Sequence, residues 1–112
     1  MVNITEQTKS GMTVYVVDGR IDSTGAVDLD LALQSATADG RYNIVIDLAK
    51  VSYINSAGLR TLADILTQCR ENNGDLRLVA LHPRVKRVFQ IIGFDNFFSI
   101  YESLDEAVAA SA

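Results

Sequence analysis

Tyr42-Asn43-Ile44-Val45-Ile46-Asp47-Leu48, followed shortly by Asn55-Ser56-Ala57-Gly58-Leu59-Arg60, is the stretch that decides the fold. The first run is nearly continuously apolar, the pattern of a central strand covered on both faces by helices. The second opens an amphipathic segment in which Leu59, Leu62, Leu66 and Cys69 recur at i, i+3, i+7 and i+10, until Asn72-Asn73-Gly74 supplies a stop. A serine thus sits where a strand's exit becomes a helix's start. The first N–H groups of a helix lack internal partners and carry the positive end of its dipole, so a hydroxyl or a phosphate is well accommodated there. Ser56 reads either as a helix cap or as a switch.

Working towards the N-terminus, Val2 to Thr8 is a weak strand. Met12 to Ile21 is a stronger one, carrying Val14-Tyr15-Val16-Val17 between Gly11 and Gly19. Lys9-Ser10-Gly11 supplies a tight turn, so a hairpin opens the fold. Asp22-Ser23-Thr24-Gly25 offers capping side chains before a helix over Ala26 to Asp39, with Ala26, Leu29, Leu33 and Ala36 on one face. Val27-Asp28-Leu29-Asp30-Leu31 also alternates with period two, as a half-buried strand does. The alanine content and the caps favour the helix.

Towards the C-terminus, Leu76 to Leu81 is strand-like. Pro83 then stands at a first helical position, with Val85, Val88, Phe89 and Ile92 on one face and Gly93 past the end. Phe97 to Tyr101 is a last short strand. Ser103-Leu104-Asp105-Glu106 has the form of a capping box, opening a closing helix at Ala107 to Ala110.

Composition excludes whole classes of function. The 112 residues, 48% hydrophobic and 21% charged, suit a single globular domain over 1–112. Ten basic against fourteen acidic residues give a net charge of −4, which disfavours nucleic acid and anionic lipid as partners. One cysteine, Cys69, and one histidine, His82, are too few for a disulfide or a zinc site, so no metal and no cofactor is expected. No apolar run is long enough to insert in a bilayer, and the opening residues lack the basic and apolar regions of a signal peptide. The chain reads as cytoplasmic.

Alternating strands and helices imply a sheet with a parallel core, where function sits beyond the carboxyl ends of the strands. Asp22, closing the second strand, and Ser56, following the third, project from one edge if those strands are parallel neighbours. Asp22 also reads as a cap or turn residue. Arg84, Lys86 and Arg87 form a basic cluster whose favoured reading is a solvated helix face, with a phosphate or partner site as the alternative. Cys69 reads as a packed core thiol and His82 as a turn or surface residue. No catalytic triad is present, so no catalytic residue is assigned.

Gly19-Arg20-Ile21-Asp22, Asn55-Ser56-Ala57-Gly58-Leu59, and Pro83-Arg84-Val85-Lys86-Arg87-Val88-Phe89 with Gly93-Phe94 together resemble the bacterial anti-sigma-factor antagonists, stand-alone STAS domains. The resemblance runs across nearly the whole chain. It implies an α/β fold, a mixed β-sheet of about five strands with a parallel core packed against about four α-helices, and no enzymatic activity. It further implies that Ser56 is phosphorylated by an anti-sigma factor that is a serine kinase of the histidine-kinase-like ATPase fold, and dephosphorylated by a PP2C-type phosphatase. The unphosphorylated antagonist then sequesters the anti-sigma factor and releases the sigma factor.

By that resemblance the phosphorylated serine is Ser56, the strand-end aspartate Asp22 and the motif glycine Gly58, with Tyr53, Ile54, Asn55, Ala57 and Leu59 completing a partner-binding surface. In this reading Gly58 lets a partner approach closely, and Tyr53, Ile54 and Leu59 supply apolar contact. Asn55 departs from the family, where aspartate is common: the amide keeps the shape but loses the charge. A phosphorylation-independent subunit of a lipid-transport ATPase complex or stress-signalling scaffold is the alternative. A small enzyme using Asp22 and Ser56 directly ranks last, because no base or nucleotide fingerprint accompanies them.

Overall fold

Hairpin chemistry starts the chain. In the computed structural model, which describes residues 2–110, β1 (Asn3–Lys9) and β2 (Met12–Asp18) pair antiparallel. The two residues between them, Ser10 and Gly11, both have positive φ, at 51° and 79°. That is the left-handed turn geometry that suits the twist of a two-residue hairpin.

From β2 onward the chain repeats one unit. Helix α1 (Ser23–Ala38) leads to β3 (Asn43–Lys50), α2 (Ser56–Glu71) to β4 (Asp75–Val79), and α3 (Pro83–Ile92) to β5 (Ser99–Tyr101), with a 3-10 turn at Phe94–Asn96 before it. The strand order is β1-β2-β3-β4-β5, and all pairs after the hairpin are parallel. Each crossover steps the same way across the sheet, so one handedness sends all three helices to one face. There Tyr15, Ile44, Ile46, Leu48, Leu76 and Leu78 of the strands meet Leu29 and Leu33 of α1, Leu62, Leu66 and Cys69 of α2, and Val85 and Phe89 of α3.

The opposite face is smaller. Met12, Val14, Val45 and Val79 pack under Ala107 of α4 (Leu104–Ala109), a six-residue helix capped by Ser103, whose Oγ accepts from the Glu106 amide at 3.2 Å. Arg77 is buried beneath it, donating to the Ala107 carbonyl at 2.6 Å, with Nε 3.8 Å from Asp75 and without a hydrogen bond among the described residues. The central strand is thus covered on both sides, as its apolar run requires.

Several expectations need adjusting. The period-two pattern at Val27 to Leu31 arises because α1 carries a second apolar stripe facing outward, with Val27 and Leu31 58% and 65% exposed. Ile92, in the last turn of α3 before Gly93 ends it in the left-handed conformation, is exposed as well. His82 is more than a turn residue. Its Nδ1 accepts from the Arg84 amide at 3.2 Å, capping α3. Burial, with the Asp75 charge adding to it, pushes the Cys69 thiol up to about 11, in keeping with a packed core residue.

Candidate functional site

Two βα junctions are stitched side by side. Beyond the ends of β2 and β3, Ile21 and Ile54 form a parallel bridge: the Ile21 amide donates to the Tyr53 carbonyl at 3.0 Å and the Asn55 amide donates to the Ile21 carbonyl at 2.9 Å. The next residue on each side caps a helix. Asp22 accepts from the Gly25 amide at 2.9 Å, and Asn55 Oδ1 accepts from the Gly58 amide at 2.9 Å. Asp22 and Ser56 therefore lie on one sheet edge, as neighbouring parallel strands demand.

The two segments are variants of one pattern. Asp22-Ser23-Thr24-Gly25 and Asn55-Ser56-Ala57-Gly58 both read as a cap, a serine, a small residue and a buried glycine. Helix α2 begins at Ser56, with Asn55 extended at φ −91° and ψ 178°. The capping reading of Ser56 is therefore corrected: the cap is Asn55. Ser56 is free for another role, being exposed, with a hydroxyl that makes no hydrogen bond among the described residues. The Gly58 amide is taken by the cap, and the Leu59 amide by the Asn55 carbonyl at 3.1 Å. The amides of Ser56 and Ala57 remain as the donors that an anion at this helix start can use.

Gly58 serves the interior rather than a visitor. A Cβ on it would lie 2.6 Å from Ile21 Cγ2 and 2.8 Å from Ile54 Cγ1, so the glycine lets the head of α2 sit against the bridged strand ends. Ile54 and Leu59 are correspondingly buried, at 6% and 9% exposed, and pack into the main core. Close approach at Gly58 and apolar contact from Ile54 and Leu59 are thus not what this edge offers. Its accessible members are Tyr53, Ser56 and Ala57, with Asp22 and Asn55 half-buried.

Electrostatics distinguish the two caps. The Gly25 amide beside it, with smaller help from Arg20, holds the Asp22 carboxyl below the usual carboxylate range, so this cap is charged. The Asn55 cap is neutral. One pairing here was not legible in the sequence: the Arg20 guanidinium lies over the Tyr53 ring, 4.2 Å from its centroid. The two residues stand one position before the bridged Ile21 and Ile54, so only the strand register brings them together. Among the described residues no cluster of histidine, cysteine or carboxylate side chains is arranged to hold a metal ion.

The STAS domain profile matches residues 3–107. The chain belongs to the STAS domain family. One relative of this STAS domain, provisionally named anti-sigma factor antagonist BtrV, from Bordetella bronchiseptica, is 36% identical over 100 residues, covering 89% of this chain and 86% of that protein. The anti-sigma-B factor antagonist of Staphylococcus aureus is 26% identical over 104 residues, covering 93% and 96%. Among solved structures, an anti-sigma factor antagonist from Mycobacterium paratuberculosis superimposes with a TM-score of 0.87 at 30% identity, covering 96% of this chain and 92% of that one. Among the described residues no helix is long and apolar enough to cross a membrane.

Proposed function

We propose that this STAS domain is an anti-sigma factor antagonist switched at Ser56. Relatives named for that role support the binding partner, an anti-sigma factor. The observation that carries the switch is the exposed Ser56 hydroxyl, relieved of capping by Asn55 and standing at the first position of α2. A kinase can take that hydroxyl without breaking a bond the fold needs.

The physics of the switch follows from the site. A phosphate brings about −1.5 to −2 charges and three acceptor oxygens. The free amides and dipole at the head of α2 make it tolerable to the domain itself. A partner surface that seats neutral Ser56 against Tyr53 and Ala57 would have to desolvate that dianion. The cost is several kcal/mol, and each ~1.4 kcal/mol weakens binding tenfold. In this reading the anti-sigma factor is itself the serine kinase, of the histidine-kinase-like ATPase fold, and a PP2C-type phosphatase resets the serine. The domain contributes recognition and no catalytic group.

The test is a pull-down from native lysate with wild-type, Ser56→Ala and Ser56→Asp baits, followed by affinity measurement on the retained protein. Retention of an ATPase-fold kinase by Ser56→Ala, with roughly a hundredfold weaker binding to Ser56→Asp, is the expected result. Equal retention by all three baits would remove the switch and leave the phosphorylation-independent subunit as the reading.

A further inference from the structure

Beside the Ser56 edge lies a cleft of about 230 Å³ bordered by Arg20, Ser52, Tyr53 and Ile54 from the two junctions and by Arg84 and Val88 from α3. Its lining brings together two arginines, Arg20 and Arg84, that are far apart in sequence. Neither is in an ion pair among the described residues, as is also true of Arg60 and Arg87, so what sets Arg20 and Arg84 apart is that they line one cleft. Two arginines lining one small space, neither in an ion pair among the described residues, favour an anion there.

The chemistry of the walls narrows the anion. The Arg20 guanidinium already rests against the Tyr53 ring, 4.2 Å from its centroid, so less of its freedom is lost when its fork is engaged. Arg84 is anchored at the start of α3, where its own amide donates to the His82 cap. Planar forks match a carboxylate two-by-two. Ser52 adds a hydroxyl, while Val88, with the little of Ile54 that is accessible, supplies an apolar wall suited to a methylene stem. The volume is below the roughly 300 Å³ at which small-molecule and cofactor pockets begin, so it suits a single side chain better than a cofactor-sized ligand.

We propose that Arg20 and Arg84 form a carboxylate subsite that receives a glutamate or aspartate side chain of the anti-sigma factor when it docks against the Ser56 edge. Naming the anti-sigma factor as the source rests on the function proposed above; recognition of the carboxylate does not. The subsite gives the antagonist a point of attachment that is independent of the state of Ser56 and sets the orientation in which the partner meets it.

Titration of the ¹⁵N-labelled chain by NMR tests the subsite directly, with N-acetyl-glutamate amide as probe, N-acetyl-glutamine amide as neutral control and inorganic phosphate as the competing anion. Saturable shifts confined to Ser52, Tyr53 and the Nε–H groups of Arg20 and Arg84 are expected from the glutamate probe alone. They should weaken about tenfold in Arg20→Gln or Arg84→Gln, the effect of one charge-assisted hydrogen bond. Absence of localised shifts, equal shifts from the glutamine control, or binding of phosphate in place of glutamate would overturn the proposal. The second arm measures the anti-sigma factor against Ser56→Ala with and without Arg20→Glu and Arg84→Glu. Unchanged affinity there, with glutamate still bound by NMR, overturns the partner assignment while the subsite stands. If no anti-sigma factor is retained by any bait, the proposed function fails and the glutamate titration still decides the subsite.

Discussion

Asp22 and Asn55 head adjacent helices with the same bond, each side chain accepting the amide three residues on at 2.9 Å, yet one is charged and the other neutral. Because capping needs only the oxygen, the amide does the structural work of a carboxylate while leaving the charge out. Loss of Asn55 to alanine should cost about 1 kcal/mol, a fall in Tm of about 4–8 °C. Asn55→Asp should stay within about 1 kcal/mol of wild type, and Ser56→Ala within about 0.5 kcal/mol. Thermal melts of the three variants separate the cap from its neighbour. A large loss in Ser56→Ala would contradict the assignment of the cap.

Gly58→Ala places a methyl group 2.6 Å from Ile21 Cγ2 and 2.8 Å from Ile54 Cγ1, both on branched side chains of the core. Relief requires the head of α2 to move off the bridged strands. A destabilisation of about 1–3 kcal/mol is expected from such overpacking, measured by urea unfolding. The same variant should also weaken partner binding, because Ser56 moves with the helix.

The Asp22 carboxyl, held low chiefly by the Gly25 amide, sets part of the acid limb of stability. A carboxylate with a folded pKa below its unfolded value of about 3.9 contributes stability that is fully present above that value and is lost as pH falls through the folded one. Asp22→Asn keeps an oxygen for the cap but cannot titrate. Its urea midpoint should therefore fall less than that of the wild type between pH 5 and pH 2.5. Parallel curves for the two proteins would show that Asp22 does not carry this linkage.

Arg77 is buried under α4 with one strong bond to the Ala107 carbonyl, its Nε 3.8 Å from Asp75 and without a hydrogen bond among the described residues. Arg77→Ala leaves a cavity and an orphaned carbonyl, for an expected cost of about 2–4 kcal/mol. Arg77→Met restores most of the volume without a charge to desolvate, and should recover at least half of that loss. Chemical denaturation of both variants checks the ordering. Equal losses would assign the whole effect to the Ala107 bond.

What was legible in the sequence had a local cause. Leu59, Leu62, Leu66 and Cys69 announced α2 by their spacing, Pro83 and Gly93 bracketed α3 by their backbone limits, and Ser10-Gly11 marked the hairpin. Asn55 and Ser56 are both good caps, so local sequence leaves the cap open between them; Asn55 takes it, directly after the bridge between Ile21 and Ile54, a contact between distant segments. The same bridge unites Arg20 with Tyr53 and turns Gly58 inward, so no local pattern could reveal either. Ile92 shares its spacing with the buried Val85 and Phe89 yet is exposed, because an apolar side chain signals a face without saying whether anything covers it.

The wedge formed by Gly58 between Ile21 and Ile54 has a bearing on how a signal leaves this molecule. Its contacts tie the first turn of α2 to two strand ends, so there is little slack through which an event at Ser56 can be passed on to the rest of the domain. If Ser56 is the switch proposed above, the message is displayed rather than relayed, and its reader has to meet the serine on the spot, by touch.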